Sequence, residues 1–215
     1  MKYPLIIFDL DGTILDTLKD LHASTNEALR AFSMPERTLG EVRAFIGNGI
    51  RRLIELSVPE DTPVEMIDRV QQVFSAHYKL HCNDKTRPYD GIPALIRELR
   101  ASGARTAVVS NKDDYAVRAL CELHFPGLFD AAVGSREGVR KKPAPDSVNE
   151  VLAQLGFSRE EAVYIGDSEV DFDTAKNAGM KLITVAWGFR DEEQLQEIGC
   201  TDIASTVGQL QEKLL

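Results

Sequence analysis

The run Leu5-Ile6-Ile7-Phe8 is apolar without interruption and stops on Asp9, with a second acid at Asp11 and a glycine at Gly12. A short apolar run closed by turn residues is the pattern of a strand buried on both faces, as in a parallel sheet covered by helices. Such a strand cannot stand alone, so the chain must supply neighbours of the same kind. It does so at Thr106 to Val109, Ala131 to Val133, Ala162 to Ile165 and Leu182 to Ala186, with helical spacing at Ile92 to Arg100 and Asp146 to Leu155. Strands alternating with helices predict an α/β fold built on a doubly wound parallel sheet.

From Thr17 to Lys85 the alternation lapses. Leu18, Leu21, Thr25, Ala28 or Leu29, and Phe32 recur at helical spacing, as do Met66, Val70, Val73 and His77, and no strand pattern intervenes. This predicts a helical insertion, residues 17–85, in a core made of residues 1–16 and 86–215. The turn formers Arg87-Pro88-Tyr89-Asp90-Gly91 mark the return linker and Ile14 to Asp16 the outgoing one.

At 215 residues with 43% hydrophobic content, the chain has enough apolar material for a sizeable core. Its formal charge of -9 argues against nucleic acid or an anionic membrane as a partner, so any anionic substrate must be held by local positive charge. Cys82, Cys121 and Cys200 are widely spaced, with neither a CxxC pair nor a histidine pattern for zinc, which suits reduced thiols in the cytoplasm. Lys2 precedes an apolar segment far shorter than a signal peptide requires, and no apolar run is long enough to span a bilayer. A cytoplasmic protein, monomeric or homodimeric, is expected.

Ligands of open parallel sheets bind at the carboxyl ends of the strands. The residues found there are Asp9, Asp11, Gly12 and Thr13; then Ser110, Asn111 and Lys112; then Gly166, Asp167, Ser168 and Asp171; Lys142-Pro143 adds a cation ahead of a helix. One aspartate after a strand is usually a helix cap or a turn former, but three such groups at strand ends together with the Lys142 cation call for a chemical explanation. Phosphate ester cleavage needs a nucleophile, a proton for the leaving oxygen and charge neutralisation. Asp9 can attack phosphorus to give an aspartyl-phosphate, and Asp11, two residues on along the same strand side, can serve as acid and then base. Carboxylates facing a phosphate require a divalent cation, most simply Mg2+, with Asp9 and Asp167 as ligands. Thr13 and Ser110 offer hydroxyls and the amides near Gly12 and Asn111 offer N–H donors to phosphate oxygens, while Lys142 supplies transition-state charge.

On these residues the sequence resembles the haloacid dehalogenase superfamily of phosphohydrolases: DLDGT at 9 to 13 in its DxDGT form, SN at 110 and 111, KP at 142 and 143, and GDSEVD at 166 to 171. The resemblance implies a Rossmann-like core with a helical cap, Mg2+ bound by Asp9, the main-chain carbonyl of Asp11 and Asp167, and Asp171 organising the metal's water shell or the lysine. An acid at position 11 favours phosphate over halide chemistry, because a departing halide needs no proton. Within the superfamily the sequence looks like phosphoglycolate phosphatases, through FIGNGI at 45 to 50, YDGI at 89 to 92 and GDSEVDFDTAKNAGMKLITVAWGFR. Gly47, Asn48 and Gly49 could present amides to the leaving group and Arg51 or Arg52 could meet a carboxylate; the alternative is a turn followed by arginines on a solvated helix face.

The reading is therefore a Mg2+-dependent phosphatase of small phosphorylated metabolites, with 2-phosphoglycolate the first candidate. A pyrophosphatase, a sugar-phosphate phosphatase or a β-phosphoglucomutase-like mutase would use the same core, and a receiver-type signalling module would store the phosphoryl group instead. His22, His77, His81 and His124 lack metal spacing and read as packing or surface residues. Trp187 borders the site or fills space beside the last strand.

Overall fold

Every residue of the first strand, β1 (Leu5–Phe8), is buried. The structure, a computed structural model describing residues 2–215, continues with short β2 (Leu15–Asp16) and helices α1 (Leu18–Ala31), α2 (Leu39–Phe45), α3 (Gly49–Ser57) and α4 (Val64–His81). Then come β3 (Arg87–Pro88), α5 (Ile92–Ala101), β4 (Arg105–Asp113), α6 (Asp114–His124), β5 (Ala131–Ser135), α7 (Asp146–Leu155) and β6 (Ala162–Gly166). The chain ends with α8 (Glu169–Ala178), β7 (Lys181–Val185), α9 (Glu192–Ile198), β8 (Ile203–Ala204) and α10 (Val207–Leu214).

Six strands form a parallel sheet in the order β5-β4-β1-β6-β7-β8. Alternation along β1 divides the core into two layers. Ile6 and Phe8 pack with Ile96, Leu99, Val108 and Val117 on one face, and Leu5 and Ile7 with Val109, Val151 and Tyr164 on the other. Each fully buried Leu, Ile or Phe contributes about 1.5–3 kcal/mol over its exposed state, so both helix layers are needed to hold β1 where it is. The doubly wound α/β sheet expected from the sequence is the one found.

Two strand features differ from the apolar pattern. β4 runs on past Val109 through Ser110, Asn111 and Lys112, all buried, with a register shift against β5 between Val109 and Asp113. Polar residues there made the strand look finished; they are enclosed because they line the site. β8 has only two residues, too few for a periodic signal.

The chain divides into two compact units, Asp16–Arg87 and the remainder. Within Asp16–Arg87, α1 buries Leu21, Thr25, Ala28 and Leu29, and α4 buries Val70, Phe74 and Tyr78, whose two rings stack at 5.4 Å. The buried stripe of α4 passes through Phe74 and Tyr78, while Val73 and His77 beside them are half-buried. Buried Asp20 accepts from the amides of Lys85 and Thr86 at 2.8–3.0 Å and from the Thr86 hydroxyl at 2.8 Å, tying the return segment to α1. Among the described residues no helix is long and apolar enough to cross a membrane.

Candidate active site

The strand order reverses beside β1: the chain adds β4 and β5 to one side, then returns to lay β6 on the other. A crevice at such a switch point is the usual ligand position in open α/β sheets. The Asp9 amide extends the ladder one residue beyond β1 by donating to the Ile165 carbonyl at 2.8 Å. That bond fixes Asp9 beside the end of β6, where Asp167 follows Gly166.

Carboxylate oxygens of Asp9, Asp167 and Asp171 lie within 4.8 Å of one another, all buried. Lys142 Nζ enters this group, 2.9 Å from Asp9 Oδ1, 2.7 Å from Asp171 Oδ1 and 3.0 Å from the Tyr164 hydroxyl. Burial, opposed in part by Lys142, pushes the Asp9 carboxyl up to about 7. Burial, together with Asp171 and Asp9, holds Asp167 well above the carboxylate range. Burial works against the Lys142 ammonium, but the Asp171 and Asp9 carboxylates more than offset it and keep its pKa raised.

Asp171 is the most fully bonded of the three carboxylates. One oxygen meets Lys142 and the Tyr164 hydroxyl; the other accepts from the Asp167 and Ser168 amides at 3.1 and 3.2 Å and from the Ser168 hydroxyl at 2.7 Å. It is the third residue of α8 in a capping box with Ser168. Of the two roles expected for Asp171, this geometry favours holding the lysine.

Asp9 Oδ1, in contrast, is buried with no partner beyond its 2.9 Å ion pair with Lys142. A buried oxygen of that kind, beside a second carboxylate whose charge is disfavoured by its neighbours, fits a hard divalent cation such as Mg2+.

The glycines serve these carboxylates. A Cβ on Gly12 would lie 2.4 Å from Asp167 Oδ2, one on Gly166 2.3 Å from Asp171 Cβ, and one on Gly188 2.3 Å from the Gly12 carbonyl oxygen. Gly12 also turns at φ +85°, a conformation that disfavours side chains. Its amide, in the loop expected to offer N–H donors to phosphate, donates to the Leu15 carbonyl at 2.9 Å and so shapes that loop. Gly188→Ala should destabilise the fold by about 1–3 kcal/mol, because the atoms it meets include backbone that cannot step aside. Thermal unfolding checks this, and an unchanged midpoint would refute it.

The hydroxyl of Thr13, the other loop residue expected to serve phosphate, donates to Asp167 Oδ1 at 3.0 Å. The other Asp167 oxygen accepts from the Phe189 amide at 2.7 Å. Trp187 Nε1 donates to the Thr13 carbonyl at 3.1 Å, which places Trp187 beside the Asp9–Thr13 loop. Asn111 clamps the lysine segment through its side chain: Nδ2 donates to the Lys142 carbonyl at 3.0 Å and Oδ1 accepts from the Lys142 amide at 2.8 Å. Ser110 is buried at the end of the same strand, its hydroxyl accepting from the Lys112 amide at 3.3 Å.

Asp11 sits past the end of β1, in the turn, so strand alternation does not govern its direction. Its two carboxylate oxygens meet Lys112 Nζ at 2.8 and 3.1 Å. Lys112 and Tyr164 are the polar partners that motif spacing left without a role. Lys112 stood beside Ser110-Asn111 in the sequence, whereas Tyr164 was hidden inside an apolar run.

The remaining predicted residues belong to the helical unit. Gly47 and Gly49 turn at φ +131° and +83°, and Asn48 precedes α3. The Arg51 guanidinium is engaged within the same unit, by Glu55 at 2.9 Å and by Asp68. His22 bonds the Arg37 carbonyl, His77 the Ser24 hydroxyl and His81 Asp84, in keeping with packing and surface roles.

A family model described as haloacid dehalogenase-like hydrolase matches residues 6–185. A phosphoglycolate phosphatase of Aquifex aeolicus is 34% identical over 186 residues, covering 86% of this chain and 85% of its own length. One from Cereibacter sphaeroides is 37% identical over 191 residues, 87% of each chain. A solved structure from Lactobacillus delbrueckii subsp. bulgaricus superimposes with a TM-score of 0.96 at 40% identity, covering 100% of this chain and 99% of that one. CbbY from Rhodobacter sphaeroides, solved in complex with phosphate, has a TM-score of 0.74 at 25% identity and covers 95% of this chain and 94% of its own.

Proposed function

The chain belongs to the haloacid dehalogenase-like hydrolases, a phosphoric monoester hydrolase among them, and on that premise we propose that it hydrolyses 2-phosphoglycolate through an aspartyl-phosphate on Asp9. The observation that carries the chemistry is the enclosed group of Asp9, Lys142, Asp171 and Asp167 at the switch point, with Asp11 on the same loop. The substrate rests on the phosphoglycolate phosphatases to which the chain is similar.

In this reading Asp9 attacks phosphorus, forming the new P–O bond as the ester P–O bond breaks. Asp11 gives its proton to the departing ester oxygen and later takes one from the water that cleaves the aspartyl-phosphate. Lys142 neutralises charge on the equatorial oxygens and Ser110 donates to one of them, each held before the substrate arrives and so acting without reorganisation. Asn111 and Asp171 position Lys142 from two sides. Mg2+, held by Asp9, Asp167 and the main-chain carbonyl of Asp11, would offset the repulsion between the carboxylates and the phosphate when bound. The helical unit Asp16–Arg87 is assigned the role of cap, with Gly47, Asn48, Gly49 and Arg51 as its contribution to selecting the leaving group. Small phosphorylated metabolites reacting in the cytoplasm complete the proposal.

Phosphate release from 2-phosphoglycolate, pyrophosphate and a panel of sugar phosphates, with Mg2+ and with chelator, tests it. Preference for 2-phosphoglycolate and loss of release with chelator are expected. Broad, weak release would overturn the substrate, and a phosphoryl group retained on a sugar product would replace hydrolysis by mutase chemistry.

A further inference from the structure

The mechanism above uses one of the two ammonium groups in the site. Lys142 is taken up by Asp9 and Asp171. Lys112 reaches across from the end of β4 to both oxygens of Asp11, at 2.8 and 3.1 Å. Its side chain is 3% exposed and that of Asp11 14%, so the pair opens to solvent on the Asp11 side. A lysine enclosed to that degree gives up hydration and side-chain freedom, an expensive way merely to orient one acid.

The position of the ammonium has a consequence for the leaving group. Asp11 must come within hydrogen-bond reach of the ester oxygen to protonate it. Lys112 Nζ is one hydrogen bond further on, 2.8 Å from the Asp11 carboxylate. In a leaving group of the form O–CH2–COO−, the carboxylate oxygens stand roughly 3 Å from the ester oxygen, by ordinary bond lengths. The carboxylate therefore arrives beside the acid, and the charge already beside the acid is the Lys112 ammonium. An ammonium has three donors and can bridge two carboxylates, whereas a hydroxymethyl group in the same place would offer it no charge. The net charge of -9 makes the point sharper, since an anionic leaving group is otherwise repelled.

We propose that Lys112 is a specificity-determining residue that binds the carboxylate of the leaving group and so selects 2-phosphoglycolate over uncharged esters of the same size. The proposal rests on the substrate reading above and gives it a residue in the core, where the cap arginine Arg51 is already paired with Glu55 and Asp68.

The test compares 2-phosphoglycolate with 2-hydroxyethyl phosphate, which replaces the carboxylate by hydroxymethyl, in the full-length protein with Mg2+. The parent should favour 2-phosphoglycolate in kcat/KM. In Lys112→Met the ratio of the two kcat/KM values should fall about 10- to 100-fold, the range expected for a charged hydrogen bond. Lys112→Arg should keep most of the ratio. Because the ratio is taken within one preparation, partial misfolding cancels from it. An equal loss on both esters would reduce Lys112 to a positioning residue for Asp11 and overturn the proposal while leaving the substrate reading intact. A parent without preference between the two esters would overturn the substrate reading and, with it, the proposal. If turnover is lost on both esters, binding decides: in the Asp9→Asn background, Lys112→Met should weaken 2-phosphoglycolate about 10-fold or more relative to inorganic phosphate by calorimetry. Equal weakening of the two ligands would count against it.

Discussion

Asp9→Asn should reduce phosphate release by at least about a thousandfold while leaving the chain folded, because an amide cannot form the phosphoryl-enzyme bond. The substitution keeps the size of the side chain and removes one of the two carboxylates that share the Lys142 ammonium. The sign of the stability change follows from the raised carboxyl, which burial pushes up to about 7 from an ordinary value of 3.8. A carboxyl raised in the folded state binds its proton more tightly there than when unfolded. Stability from this group is therefore present at low pH and lost as pH rises from about 4 through about 7. In chelator near pH 8 the parent bears that full cost and Asp9→Asn does not, so the variant should melt about 2–6 °C higher. Acid-quenched mass spectrometry supplies the complementary readout: phosphorylated protein during turnover in the parent, none in the variant. Substantial turnover by Asp9→Asn would remove Asp9 as the nucleophile, and a lower melting point would show that its carboxylate is better compensated than the geometry indicates.

Lys142→Met should produce the largest combined loss. The ammonium lies among Asp9, Asp171 and the Tyr164 hydroxyl, and its side chain is 4% exposed. Removing one partner of a buried charge group leaves the others uncompensated, at a cost of about 3–5 kcal/mol. Activity should fall at least about a hundredfold, as for loss of one preorganised charge at a developing oxyanion. The double variant Lys142→Met/Asp171→Asn separates the two effects. It removes the carboxylate nearest the lysine, so it should recover part of the stability and none of the activity. If the single variant melts with the parent, the lysine is not what holds the carboxylates together. If the double variant recovers activity, Lys142 acts only through Asp171.

Much of the sheet could be read from local pattern. An apolar run with no polar position implies two covered faces, and the strands beginning near Leu5, Thr106, Ala131, Ala162 and Leu182 were legible for that reason. The pattern failed where the site itself intrudes. β4 continues through Ser110, Asn111 and Lys112, whose polarity says loop, because in the fold those groups are enclosed by other polar groups and remain buried. β8 and the pairing of Asp20 with Lys85 and Thr86 leave no periodic trace at all.

The candidate site divides in the same way. Motif spacing placed Asp9, Asp11, Lys142, Asp167 and Asp171 at strand ends, since ends of buried strands are found from the pattern and chemistry can be argued from residue types. It could not say which carboxylate would take the lysine. Nor could it say that the clearance at Gly12 makes room for Asp167 or that the Thr13 hydroxyl bonds it. Tyr164 looked like one more apolar strand residue until its hydroxyl met Lys142 and the Val109 carbonyl.

By itself, then, the sequence determined the alternation of buried strands and helices, the helical insertion and the set of candidate reactive groups, because each depends on residue type and on spacing along the chain. Only the tertiary structure decided the pairings: Lys142 with Asp9 and Asp171, Lys112 with Asp11, Asn111 with the backbone of Lys142, and three glycines against two carboxylates. Those contacts join residues far apart in the chain, and which of several acids meets which of several lysines is set by crossover order and by clearances of a few ångströms, neither of which has a period to be read.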